Sequence, residues 1–497
     1  MRRIARLADD GKLRRLYAGV YTSNLDGPLE SIAVRNWAQI VAKLLPDAVL
    51  GFRSAITGSP EDGVVYLTRG KTRRRLDLPG LRIEVIPGPD PLKAPPANDI
   101  PYNGIYLASE ERALLENLSL GRGVAARTLT QEQIEARLDK ILTLRGEQKL
   151  NEVRDRARAV AEELGMNREF ARLDGLVGAL LGTHEQHKLK SRQSIARAAG
   201  RPYDPDRLEV FDVLFSALKP EVFPAIQDKA AEGLALENFA FFEAYFSNFI
   251  EGTVFTIEEA EKIVFEGAII PNRGDDGHDV RGTFDAASRS PWRNQPPADP
   301  DQFLLWLKKV NALVMQSRTS KNPGEWKSVA NQAGSSFFVA PELVPGTLRE
   351  GFARIAALSD PVARALMTMF MVSEVHPFTD GNGRTARLAM NCELSAHGLS
   401  RIIVPTVYRE DYLLPLKGLT NNKTTAPYLH AMTRAQRWSG AFDYDRPRGD
   451  VKAQLTNCNA FEEDLRHFKL IFPEVETAND ADLEIGSRRA ITPSRRP

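Results

Sequence analysis

His376-Pro-Phe-Thr-Asp-Gly-Asn-Gly-Arg-Thr-Ala-Arg387 crowds several chemical tools into one short run. His376 can serve as a base and Asp380 as a metal ligand. Gly381, Asn382 and Gly383 make a loop whose backbone N–H groups can point at an anion. The residues after the glycines are good helix formers, with apolar side chains at Leu388, Cys392 and Leu394. The loop therefore leads into a helix N-terminus, where free N–H groups and the helix dipole favour phosphate. Arg384 and Arg387, spaced i, i+3, share one helix face and add formal charge. Upstream, Ala363, Leu366, Met367, Phe370 and Met371 recur at helical spacing, so the whole reads as helix–loop–helix with His376 closing the first helix.

That pattern suits a reaction at a phosphate. Magnesium on Asp380 would bridge phosphate oxygens, the loop would hold the oxyanion, and the arginines would bind the rest of a polyphosphate. His376 would take a proton from an incoming hydroxyl. The run is neither a P-loop, which needs Gly-x-x-x-x-Gly-Lys-Ser/Thr, nor a Rossmann loop, which needs a preceding strand. A lone Gly-x-Gly is more often a plain turn with solvated neighbours; here too many specified positions coincide for that.

The 497 residues are too many for one core, so two to four domains are expected. A net charge of +1 exerts no global pull toward nucleic acid or anionic membrane. The two cysteines, Cys392 and Cys458, supply neither a disulfide framework nor a zinc set, consistent with a reducing compartment. The first residues lack the apolar core of a signal peptide, and no apolar run approaches the ~18 residues of a membrane span. The expectation is a cytoplasmic protein with no membrane partner.

The motif resembles the signature of the Fic family, His-x-Phe-x-Asp/Glu-Gly-Asn-Gly-Arg-x-x-Arg, with every specified position met. Most members move AMP from ATP onto a protein hydroxyl. The resemblance implies that His376 activates the target hydroxyl, Phe378 packs into the core, and Asp380 holds Mg2+ at the α- and β-phosphates. It further implies that Gly381, Asn382 and Gly383 form the anion hole, that Arg384 reaches the β-phosphate region, and that Arg387 binds the γ-phosphate.

Residues 236 to 250 form a strongly apolar helix ending in Ser247-Asn-Phe-Ile-Glu251-Gly252. Ser247 and Glu251 are i, i+4 and share a face, and Gly252 can cap the helix end. Alone, such a pattern is weak, and a surface glutamate is the bland alternative. Ahead of a Fic core it resembles the inhibitory motif of that family, which implies that Glu251 pairs with Arg387 and occupies the γ-phosphate position. Asn322-Pro-Gly-Glu-Trp-Lys327 resembles the Pro-Gly-x-aromatic-Arg segment of Fic domains, with lysine where arginine is usual. Ser335-Ser-Phe-Phe-Val-Ala-Pro341 looks like the family's β-hairpin flap, which docks the target backbone as an added strand. Phe337 and Phe338 would clamp the target, unless one of them is core. Asn272 to Asp279 reads as a turn-rich acidic loop without EF-hand spacing.

Residues 1–120 read as mixed α/β, with strands at 64–68, 81–87 and 104–107 and a helix opened by Ser109. Gly11 to Tyr21, Gly51-Phe-Arg-Ser-Ala55 and Gly104 to Leu115 resemble the N-terminal part of AbiEi-type antitoxins and related transcription regulators. There the first segment ends a winged helix-turn-helix, of which only a remnant is expected here. Arg69-Gly-Lys-Thr-Arg-Arg-Arg75 reads as a solvated hairpin tip or a phosphate contact. Residues 121–230 read as a helical linker. His184-Glu-Gln-His187 lacks a third ligand and reads as surface helix.

The expected architecture is thus mainly α: a Fic helical core (231–440) carrying the inhibitory helix, then a charged, partly disordered tail (441–497). It is preceded by a smaller α/β domain (1–120) and a helical spacer (121–230). The leading expectation is a self-inhibited protein AMPylator. The same pocket could instead remove AMP from modified protein, or the chain could act as a DNA-binding regulator or antitoxin through residues 1–120. Homo-oligomerisation stays open.

Overall fold

The computed structural model describes residues 2–95, 98–120, 123–184, 188–333, 336–464 and 466–473. They form two compact units, residues 1–202 and 203–497.

The first unit opens with α1 (Arg2–Asp9) and an antiparallel pair, β1 (Arg14–Tyr17) and β2 (Val20–Thr22). Then follow α2 (Leu29–Arg35), α3 (Trp37–Leu44), β3 (Val49–Leu50), α4 (Phe52–Thr57), β4 (Val64–Thr68), β5 (Arg74–Leu78), β6 (Leu81–Ile86), β7 (Ile100–Tyr102), β8 (Ile105–Leu107) and α5 (Glu110–Asn117). The strands form a six-stranded mixed sheet ordered β5-β6-β4-β3-β8-β7. Alternation places Leu76, Leu78, Leu81, Ile83 and Val85 in the core beside Trp37, Ile40 and Val41 of α3. Ser109 caps α5 by accepting from Arg112 N, and Glu116 at its far end accepts from Phe52 N at 2.9 Å. The basic run 69–75 is not the tip of a hairpin. It carries the chain from β4 past β6 to the edge strand β5, because β6 pairs with both. Arg73 and Arg75 lie near Glu84 and Asp77, which offsets part of its charge.

α6 (Gln131–Leu164), α7 (Asn167–Leu180) and α8 (Arg192–Ala198) complete this unit. A capping box of Thr130 and Gln133 starts α6, and Gly146 at φ 78 divides it into two helical stretches. The expected independent spacer is corrected here. Leu138, Leu150, Val153, Leu173 and Val177 share one core with Leu114, Leu115 and Leu118, so these helices belong to the α/β unit. His184 lies 3.2 Å from Thr183 Oγ1, while His187 is outside the described residues.

The second unit begins earlier than residue 231. α9 (Pro205–Leu218), N-capped by Asp204, sets Phe211 edge-on against Phe370. α10 (Gly233–Ile250) is buried nearly all round, as an apolar helix must be. α11 (Ile257–Glu261) runs into a π-helical turn at Lys262–Glu266. The acidic loop expected at 272–279 is mostly helix: α12 (Gly274–Ser288) takes it up, burying Val280 and Phe284. α13 (Pro300–Val314) leads to a two-stranded hairpin, β9 (Gln332–Ala333) and β10 (Ser336–Phe337). α14 (Val344–Ala356), α15 (Pro361–Val375) and α16 (Asn382–Ala396) follow, with α15 and α16 packed together as the central pair. α17 (Arg409–Asn422), α18 (Ala426–Ser439) and α19 (Arg448–Asn457) close the unit. The tail expected from 441 is likewise corrected: Phe442, Tyr444, Val451 and Leu455 are buried, and residues 474–497 lie outside the described set. Among the described residues no helix is long and apolar enough to cross a membrane.

Candidate active site

α15 stops at Val375 because His376 takes the left-handed conformation at φ 52, which redirects the chain. Phe378 is 1% exposed and stacks on Trp326 with centroids 5.1 Å apart. Asn382 clamps that residue from both sides, accepting from Phe378 N at 2.8 Å and donating to Phe378 O at 2.9 Å. Its side chain is therefore spent on holding the loop and is not offered to an anion. Gly381 caps α16 at φ 76, and a Cβ there would lie 2.7 Å from Met315 Sδ. Asn382 and Gly383, expected in the loop, are already the first residues of α16. The helical bonding begins with Thr385 N donating to Gly381 O, so the N–H groups of residues 382–384 have no acceptor within the helix. The candidate anion cradle is thus the helix end itself.

His376 lies under the flap. Its ring stacks on Phe338 with centroids 3.9 Å apart and planes 7° apart. Phe337, by contrast, is 67% exposed. The two aromatics thus divide between the histidine and solvent. Burial, then the nearby Lys327 ammonium, pull the His376 pKa down to about 4. His376 Nδ1 lies 3.4 Å from Ser373 O, which suits an Nδ1–H tautomer with Nε2 as the free base. Lys327 is itself 3% exposed, donates to Asn331 Oδ1 at 2.6 Å, and has its pKa lowered to about 8 by burial and Arg207. Lys327→Met is expected to move the His376 pKa upward, since the cation that opposes a second positive charge is gone. A histidine NMR titration reads the shift.

Arg387 is buried on α16 and held by α10. Its Nε donates to Ser247 Oγ at 3.0 Å, and its Nη2 to Ser247 O at 2.9 Å and Glu251 Oε1 at 2.7 Å. Ser247 and Glu251 are one helical turn apart, so the shared face read from their spacing meets a single guanidinium. Glu251 ends α10, where the helix dipole disfavours a negative charge. Burial is the largest single influence and raises its pKa, but Arg387, together with Arg384 and His376, makes the net shift downward. The carboxylate also lies over the start of α16: a Cβ on Gly383 would sit 2.1 Å from Glu251 Oε1.

Arg384 is equally buried but differently held. Its Nη1 donates to Asp279 Oδ2 at 2.6 Å and to Asn248 Oδ1 at 3.1 Å, while Nη2 lies 3.5 Å from Asp380 Oδ1. Asp279 and Asn248 were not found by sequence reading. The helical spacing of Asp279, Val280, Thr283 and Phe284 was the available signal, masked by the glycines and aspartates ahead of it.

Asp380 is partly exposed and accepts from Gly381 N at 2.6 Å. Among the described residues no group of three His, Cys, Asp or Glu could hold a metal. One carboxylate beside a phosphate cradle still fits magnesium, which draws its other ligands from phosphate and water.

Residues 304–394 match the Fic/DOC family model. The protein adenylyltransferase fic-1 of Caenorhabditis elegans is 26% identical over 229 residues, 44% of this chain and 45% of the relative. The protein adenylyltransferase Fic of Culex quinquefasciatus is 27% identical over 178 residues, 34% of each. The chain thus spans less than half the length of the curated relatives it matches. Among solved structures, a Fic-1 fragment from C. elegans is 19% identical, covers 66% of this chain and 94% of its own, and aligns with a TM-score of 0.37.

Proposed function

We propose that this chain, whose residues 304–394 form a Fic/DOC domain, is a self-inhibited protein adenylyltransferase. It would transfer AMP from ATP to a serine, threonine or tyrosine hydroxyl of a target protein. The relatives named protein adenylyltransferases support the reaction class. The observation that carries the inhibited form is Glu251 lying over Gly383 on Arg387, a carboxylate in the place an anionic donor would take.

In the reaction, His376 Nε2 removes the proton from the target hydroxyl. The freed oxygen attacks the α-phosphorus, the bond to the β-phosphate bridging oxygen breaks, and pyrophosphate leaves as the AMP–protein ester forms. The N–H groups opening α16 hold the developing charge, and Arg384 and Arg387 hold the outer phosphates. Magnesium at Asp380 would neutralise phosphate charge. The β9–β10 hairpin would take the target backbone as a third strand, with Phe337 against the target and Phe338 keeping the imidazole in place. Two free, buried cysteines suit the reducing cytoplasm. Incubation with α-labelled ATP and magnesium, followed by protein-bound label, tests the transfer.

The pH profile gives a second test. An ordinary histidine base would lose activity as pH falls through its pKa near 6.5. With the His376 pKa down at about 4, the neutral form persists well below that. The transfer rate is therefore expected to stay level from pH 8 down to about pH 6. A fall to half near pH 6.5 would show an unshifted histidine.

A further inference from the structure

We propose that Asp279 is a positioning residue for Arg384, holding its guanidinium in one orientation whether or not the anion site is filled, in contrast to the Glu251–Arg387 pair already proposed as the brake. The inference rests on the donor-site reading above.

A guanidinium is planar, so two hydrogen bonds at one amino group fix the whole fork. Arg384 Nη1 makes both, to Asp279 Oδ2 at 2.6 Å and Asn248 Oδ1 at 3.1 Å. That leaves Nη2 on the side of Asp380. Asp279 is in no position to leave. Its side chain is 1% exposed, and its Oδ2 also accepts from Arg318 Nε at 2.8 Å. Arg318 is tied in turn to Asp276 Oδ1 at 2.6 Å, one turn earlier on α12. Releasing Arg384 would strip a buried carboxylate of one of its two cations.

Glu251 differs on each count. Its side chain is 31% exposed, it engages one arginine, and it is followed by Gly252 at φ 89, outside the helix. It can swing to solvent by giving up that single ion pair. When it does, Arg387 regains its full charge for the outer phosphates. Arg384, its charge already offset by Asp279, contributes a directed hydrogen bond instead. The asymmetry explains why one buried arginine can be switched without collapsing the other.

The test uses the full chain in the Glu251→Gly background, reading ATP–magnesium binding by calorimetry and transfer kinetics together. Asp279→Asn keeps the size but removes the charge, and is expected to raise donor Kd and KM about tenfold with kcat changed less than about threefold. Adding it to Arg384→Ala should cost nothing further, because the residue it acts through is gone. Additive losses in that pair, or an unchanged Kd in Asp279→Asn, overturn the proposal. Should Asp279→Asn fail to fold, Arg318→Gln decides. That side chain is 24% exposed, and its loss should raise Kd about threefold through a loosened Asp279; an unchanged Kd there refutes the idea. If the Glu251→Gly parent binds no ATP at all, the donor reading itself falls, and this inference with it.

Discussion

Glu251→Gly is expected to raise AMP transfer by about ten- to a hundredfold. The removed contact is a charge-assisted bond at 2.7 Å from Arg387 Nη2, worth roughly 1.5–3 kcal/mol, and each ~1.4 kcal/mol is a factor of ten in the open population. The substitution also clears the space over Gly383, where the carboxylate oxygen would lie only 2.1 Å from a Cβ. Arg387 keeps its two bonds to Ser247, so the freed guanidinium stays oriented while its charge becomes available. Glycine at the end of α10 costs little, since the helix already terminates there. Protein-bound label from α-labelled ATP measures the effect. An equal rate in wild type and variant, both folded, would mean that Glu251 does not compete with the donor.

The larger effect is expected from His376→Ala in the same background: a loss of about 10²–10⁴ in the transfer rate, the usual contribution of a general base. Nucleotide affinity should barely change, because the N–H groups of residues 382–384, Arg384 and Arg387 are untouched. The split matters, since the imidazole also supports the flap through its stack on Phe338. Alanine removes both base and stack. His376→Gln retains a flat polar group under Phe338 without the base, so it should remain as inactive as alanine. Recovery in the glutamine variant would reduce His376 to a support for the flap. No label in any variant, with ATP still bound, would favour the removal of AMP by the same pocket.

Local grammar was readable wherever a residue type and its neighbours decide the outcome. The α15–loop–α16 motif and the Ser109 cap followed from helical spacing and a hydroxyl at an N-cap. Reading failed where packing overrode local signals. The glycines and aspartates of 272–279 advertise a loop, yet α12 forms through them because Val280 and Phe284 gain a buried face and Asp279 gains two arginines. The helices after residue 130 look like a charged spacer because their outer faces are charged. Their inner faces share a core with Leu114, Leu115 and Leu118, which no local window reveals.

The same division runs through the site. Sequence alone named the candidate residues for the chemistry. His376, Asp380, the glycines and both arginines lie within twelve consecutive positions, so one turn and one helix start bring them together. Tertiary structure alone decided their state. The neutrality of His376 comes from burial and from Lys327, 49 residues earlier (376 − 327). The partner of Arg387 arrives across 136 residues and that of Arg384 across 105. A carboxylate's preference for a buried guanidinium is strong but carries no address in the sequence. Only the packing of α10 and α12 against α16 determines which carboxylate each arginine meets, and how easily it lets go.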